Sequence, residues 1–213
     1  MSAPLNNRNH LKYPPGGSEK VTFTTEGMVG IGETDPGSDL EVTGTDGVLF
    51  TGTFGSGTIP ASGAGTRMMW YPGKAAFRTG EVTGNHWDNN NIGIHSVAWG
   101  YNTKASGGCS IAMGNDTKAS GDMSTAMGYE TTASGSYSTA MGCGTIASGN
   151  WSTAMGDFVS TNGKTGSFII GDRSGWSDDI TQSSADNQMT MIFTGGYRLF
   201  TNDAANVGVA LAA

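Results

Sequence analysis

The chain has 213 residues, 35 of them glycine, and its 11 basic and 18 acidic side chains give a formal charge of −7. Only 14% of residues are charged, against about 25% in an ordinary soluble domain. Dense glycine opposes a helical fold, the 5 Trp, 6 Tyr, 8 Phe and 11 Met oppose plain disorder, and the acidic balance opposes nucleic acid as a partner.

What remains is an all-β chain with many tight turns. No apolar run reaches the roughly 18 residues of a membrane span, so membrane insertion is not expected. Residues 1–26 are polar and include Pro14-Pro15-Gly16-Gly17. They read as an extended N-terminal attachment segment for a baseplate or fibre-attachment protein, with disorder as the alternative. The first ten residues lack the apolar core of a secretory signal. Made in the cytoplasm, the chain is expected to leave its cell in a particle or by lysis.

Residues 27–91 read as a Gly-rich β segment. Runs from Val21 to Phe23 and from Val48 to Phe50 have strand composition, and Met68-Met-Trp-Tyr71 before Pro72-Gly73 predicts a strand entering a turn. His86 and His95, with Asp88 and Asn89 to Asn91, read as a polar cap on the first coil rather than a metal site.

From residue 92 a repeat takes over. Ser96-Val-Ala-Trp-Gly100 returns as Ser110-Ile-Ala-Met-Gly114, then as Ser124-Thr-Ala-Met-Gly128, Ser138-Thr-Ala-Met-Gly142 and Ser152-Thr-Ala-Met-Gly156. Between these runs stand Ala105-Ser-Gly107, Ala119-Ser-Gly121, Ala133-Ser-Gly135 and Ala147-Ser-Gly149. Two strand-like runs per 14-residue period predict one flattened coil of a parallel β-solenoid. Five coils at the inter-strand spacing would span about 24 Å. Ser167-Phe-Ile-Ile-Gly171 arrives one residue late, which reads as the end of the regular array. In residues 172–213, Met189-Thr-Met-Ile-Phe193 and Tyr197-Arg-Leu-Phe200 predict a hairpin through Gly195-Gly196.

Alternation along each long run sends Ser and Ala to one face and Thr and Met to the other. So short a coil encloses a slit too narrow for Met, so the Ser/Ala column faces inward. The outward column is then Trp99, Met113, Met127, Met141 and Met155, flanked by Val97, Ile111, Thr125, Thr139 and Thr153. A lone chain would expose this apolar stripe, which soluble monomers avoid, whereas Lys104 and Lys118 mark the other flank as polar. Closed rotational symmetry is the usual way to bury such a stripe, and these ten residues are the expected subunit interface. The Thr column also suits a flat ladder that orders water, but beside Met it is assigned to the interface.

These runs resemble the head repeats of YadA-like trimeric adhesins over residues 92–171. The resemblance implies a left-handed parallel β-roll and a homotrimer with one flank on the trimer axis. Met28-Val-Gly-Ile-Gly-Glu-Thr-Asp-Pro-Gly37 with Leu40-Glu-Val42 resembles a segment common in phage tail fibres. Gly195-Gly-Tyr-Arg-Leu-Phe-Thr-Asn202 resembles the stretch that precedes an endosialidase-type intramolecular chaperone, which is cleaved off after trimerisation. The implied protein is a structural, receptor-binding fibre or spike segment of a phage tail or contractile injection particle. A trimeric adhesin head on a bacterial surface is the alternative.

Chemistry is sparse. No nucleophile elbow, phosphate loop or Cys-x-x-Cys is present, so no cofactor, no metal and no enzymatic activity is expected. Asp178 and Asp179 are the candidate acid/base pair of a polysaccharide-cleaving fibre, though adjacent acids in a strand point apart. Cys109 and Cys143 are not separated by a multiple of 14, which predicts free thiols. One column varies from coil to coil: His95, Cys109, Met123, Tyr137 and Trp151. That variation reads as freedom from packing demands. Tyr137 and Trp151, with Tyr101 and Tyr129 at the opposite turn, are candidates for contact with a host-surface glycan or protein.

Overall fold

The computed structural model describes residues 21–172, 180–200 and 208–211. They fall into two compact units divided after Thr51. In the first, β1 (Val21–Phe23), β2 (Val29–Ile31) and β3 (Leu40–Val42) form a three-stranded sheet in that order. β1 is antiparallel to β2, and β2 is parallel to β3. Val48, Leu49 and Phe50 lie outside any strand and are exposed, Leu49 at 84%. Strand composition alone did not make a strand where no edge receives it.

The second unit begins with a hairpin. β4 (Gly65–Tyr71) turns through a 3-10 turn at Pro72–Lys74 into β5 (Ala76–Val82), antiparallel to it. A second 3-10 turn, Asn89–Asn91, leads into the coils. Each coil contributes one long and one short strand: β6 (Val97–Tyr101) and β7 (Lys104–Ala105), β8 (Ile111–Asn115) and β9 (Lys118–Ala119), β10 (Thr125–Tyr129) and β11 (Thr132–Ala133). There follow β12 (Thr139–Cys143) and β13 (Ile146–Ala147), β14 (Thr153–Asp157) and β15 (Val159–Ser160), then β16 (Phe168–Gly171) and β17 (Thr181–Gln182). β18 (Met189–Ile192), β19 (Tyr197–Phe200) and β20 (Gly208–Leu211) complete the strands.

The long strands stack in parallel and in register: Thr125 pairs with Thr139, Ala126 with Ala140, Met127 with Met141. The nine-stranded face runs β18-β16-β14-β12-β10-β8-β6-β5-β4, and the short strands form a second sheet from β7 to β17. This is the expected all-β parallel solenoid, with only 3-10 turns as helix among the described residues.

The array outruns the repeat at both ends. Phe77 pairs with Val97, twenty residues on, so β5 is a rung that no 14-residue search would find. At the other end the one-residue delay does not terminate the array: Thr153 pairs with Phe168 and Gly156 with Gly171 in register. The extra residue is absorbed in the turn, and β18 then pairs in parallel with β16. The expected hairpin between Met189–Ile192 and Tyr197–Phe200 therefore does not form, and β19 instead pairs antiparallel with β20. An open parallel edge at β16 outcompetes a local Gly-Gly turn, because an exposed strand edge is a template for the next segment.

The slit between the sheets is lined by small side chains. Ala98, Ala112, Ala126, Ala140 and Ala154 are fully buried, as are Ala105, Ala119, Ala133 and Ala147 opposite. Ser96, Ser110, Ser124 and Ser152 each donate a 2.6 Å hydrogen bond to the glycine carbonyl three residues earlier. At Gly142, φ is +122° and an added Cβ would strike the Gly156 carbonyl oxygen of the next coil. Only a residue without a side chain permits that approach.

Where the coils lengthen, larger residues fill the slit. Ile169 stands in register with Ala154 and is fully buried. At the first rung the partner of Ala98 is Arg78, also fully buried. Its guanidinium donates to the carbonyls of Phe77 and Ser96 (both 2.8 Å), to Ser96 Oγ (2.7 Å) and to the Ala105 carbonyl (3.0 Å). Burial pulls its pKa down to about 10, so it remains charged at neutral pH. Trp87 is fully buried as well, and its Nε1 donates to the Thr103 carbonyl at 2.8 Å. Both add donors to carbonyls at this end of the slit, where those of Ser96 and Ala105 also accept from the backbone N–H groups of Phe77 and Gly93. Arg78→Met is expected to lower the unfolding free energy by about 2–4 kcal/mol by removing these buried, charge-assisted hydrogen bonds, measured by urea unfolding of the whole chain.

Candidate functional site

Two surfaces of the solenoid carry the candidate residues. The first is the outward face of the nine-stranded sheet. Val97, Ile111, Thr125, Thr139 and Thr153 form one in-register column, and Trp99, Met113, Met127, Met141 and Met155 form the neighbouring one. Every one of these ten side chains is at least partly exposed, Trp99 at 61%. The inner and outer sides of each strand are thus as alternation requires.

Both columns are longer than the repeat implied. Phe77 and Trp70 extend the first upstream of Val97, and Phe168 and Met189 extend it downstream of Thr153. Ile170 and Met191 continue the second past Met155, while Thr79 and Met68 precede Trp99. The Met68-Met-Trp-Tyr71 run reads from sequence as a core shared between chains, and Ser167 to Gly171 as a late match. Sequence alone places neither in these columns, because β4 is antiparallel to β5 and the other rungs are 15, 20 or 21 residues apart in register. The signal that could have found them is the strand-plus-Gly frame itself: Phe77-Arg-Thr-Gly80 and Phe168-Ile-Ile-Gly171 repeat the Val97-Ala-Trp-Gly100 pattern. The opposite face carries Lys104, Lys118, Thr132 and Ile146 in its outward column.

The second surface is the variable corner. His95, Cys109, Met123, Tyr137 and Trp151 have φ of 58°, 54°, 55°, 58° and 51°. All are in the left-handed region that favours Gly and Asn. The position therefore carries a backbone demand, although it is free of packing demands as expected. Each backbone N–H in turn donates to the coil before it, as Tyr137 does to the Asp122 carbonyl (2.8 Å) and Trp151 to Ser136 (2.8 Å). This bond holds the corner in place whatever its side chain.

Side chains along the corner touch. His95 stacks on Phe54 at 5.2 Å between ring centroids, Cys109 Sγ lies 4.0 Å from His95 Nδ1, and Tyr137 stacks on Trp151 at 5.9 Å with 11° between planes. Tyr101 and Tyr129 sit in a different column at the opposite turn, with Asn115 between them. The structure therefore brings Tyr137 and Trp151 together and leaves Tyr101 and Tyr129 two rungs apart. Neither Cys109 nor Cys143 forms a disulfide, and the two occupy different columns as expected. His86 and His95 do not converge: Asp88 accepts from the Gly63 N–H at 2.6 Å, and Trp87 is packed into the slit. Among the described residues no three His, Cys, Asp or Glu side chains gather at a metal-sized site. Asp178 and Asp179 lie outside the described residues, as do Pro14 to Gly17 and Thr201 to Asn202.

The family comparison agrees with this geometry. The YadA head domain repeat matches residues 92–117, 119–145 and 133–158. Residues 92–158 carry YadA head repeats. No curated protein matches the chain. The YadA head match covers the regular 14-residue coils, and the solenoid continues beyond it in β5, β16 and β18.

Proposed function

We propose that the chain is a homotrimeric, adhesin-like fibre segment that attaches a larger structure to a host surface. The observation that carries this reading is the in-register apolar column of the nine-stranded sheet, Trp99, Met113, Met127, Met141, Met155, Ile170 and Met191. A chain with a charge of −7 has ample polar residues for its surface, yet it places Trp, Phe, Met and Ile in register on one flank. Single exposed apolar residues are ordinary, but a contiguous patch marks an interface. Three is the copy number that the YadA head resemblance implies. A rigid trimer presents each surface feature three times, and avidity then exceeds the affinity of any single contact.

The particle that bears the fibre is read as a phage tail or a contractile injection device. Met28 to Gly37 with Leu40 to Val42 supports this, since it resembles a tail-fibre segment and folds as a small sheet of its own. The match to YadA head repeats equally supports the second reading, the head of a bacterial surface adhesin. In both readings the segment works outside the cell, by geometry rather than by catalysis. Sedimentation at micromolar concentration is expected to give three times the chain mass of 21.9 kDa. A monodisperse single chain would sink the proposal. Immunogold labelling of the producing culture then separates the two carriers, decorating either particle tails or cell envelopes.

A further inference from the structure

We infer that Trp151 and Asn187 form a carbohydrate site, one per protomer, that stacks the C–H face of a neutral pyranose ring. The inference rests on the attachment reading and names the class of its ligand. Its starting point is the corner backbone. At the opposite corner, where φ is equally positive, the chain uses Asn102, Asp116, Glu130, Gly144 and Phe158, and the one aromatic among them, Phe158, is half-buried over Gly144. At the variable corner Tyr137 and Trp151 stand in the same strained conformation without that shelter.

Burial does not offset that choice, because Trp151 is 62% exposed and Tyr137 50%. A bulky ring held in a disfavoured backbone region, with most of its surface in water, is a mark of function rather than of packing. The Tyr137 ring backs one side of the indole at 5.9 Å, which fixes its orientation. The next corner in the column is Gly166, with φ +63°, so no side chain from that rung continues the stack. The space that a Cβ on Gly166 would need is taken by Oδ1 of Asn187, which occupies the following corner with φ +55°. The Asn187 backbone N–H donates to the Thr165 carbonyl at 2.8 Å, while among the described residues its side-chain amide makes no hydrogen bond. Beside it, Asp186 accepts from the Thr165 N–H at 2.9 Å through Oδ1, leaving Oδ2 for a hydroxyl.

A flat apolar face with an amide and a carboxylate oxygen on the rungs that follow it is the combination a sugar ring requires: C–H groups against the ring, hydroxyls to the polar atoms. Asp186 and the overall charge of −7 select against polyanionic polymers, which leaves neutral hexoses and N-acetylhexosamines. A protein partner would need an interface of roughly 1,000 Å² or more, and one rung of aromatic platform does not supply it.

The test uses the full chain on an array of neutral hexose and N-acetylhexosamine oligosaccharides together with purified bacterial surface polysaccharides. Trp151→Asn removes the ring while suiting the left-handed corner, so its fold and mass are expected to stay those of the wild type. Binding at the array is expected to weaken about tenfold per site, with Trp151→Tyr retaining most of it and Asn187→Gly losing part. Attachment to host cells is expected to be abolished by periodate treatment and to survive protease. The inference is overturned if the intact oligomer binds no glycan, if Trp151→Asn binds as tightly as the wild type, or if attachment is lost to protease and not to periodate. Those outcomes leave the fibre reading standing, because its own failure is read from mass alone.

Discussion

The double variant Met127→Asp/Met141→Asp is expected to be monomeric or insoluble, while the single chain keeps its coils. Met127 and Met141 are direct register partners on adjacent strands, so the two carboxylates would sit about 4.8 Å apart on the flank. In an isolated chain that flank faces water, and the substitutions meet only mutual repulsion. In the proposed trimer each carboxylate would be buried against apolar side chains of neighbouring copies, without a cation beside it. An unpaired buried charge costs several kcal/mol, and closed symmetry repeats the penalty in every copy. Sedimentation together with far-ultraviolet circular dichroism separates the two effects: β content retained, trimer lost. An intact trimer would mean that this column does not face the axis.

How far the fold was legible follows from where repetition is enforced. In-register parallel stacking sets each residue on its own type, so Ala126 on Ala140 and Gly142 beneath Gly156 print their geometry into the sequence every 14 residues. Where the turns lengthen that print fades. Arg78 was illegible because its register partner is Ala98, and nothing in Ala76-Phe-Arg-Thr-Gly80 says that this arginine points into the slit. Met189 was misread because a Gly-Gly turn is a strong local signal, whereas the edge offered by Phe168–Gly171 is a property of the assembled solenoid. The corner column was half legible: its variation showed exposure, but His, Cys, Met, Tyr and Trp are not residues that announce a positive φ. The backbone hydrogen bond from each corner N–H is what allows that mismatch, and it has no sequence signature at all.

The sharpest contrast lies between two adjacent residues. Ala140→Leu is expected to destabilise the single chain by about 1–3 kcal/mol or more, with loss of cooperative unfolding, whereas Met141→Leu is expected to change stability by less than about 1.5 kcal/mol. Ala140 is fully buried between Ala126 and Ala154, and the slit at that level belongs to 14-residue coils. A Leu there must separate the two sheets, and coil-to-coil stacking carries the strain to both neighbours. Ile169 lies beyond those coils, where the register spacing is 15 residues from Thr153 to Phe168 and 21 from Phe168 to Met189. Met141 lies one residue along and on the other side of the strand, where a Leu of similar volume still offers the apolar face that the proposed trimer needs. Thermal unfolding of both variants checks the pair. If Ala140→Leu were silent, the narrow slit would be refuted, and with it the reason why thioether side chains must be sheltered by other copies of the chain.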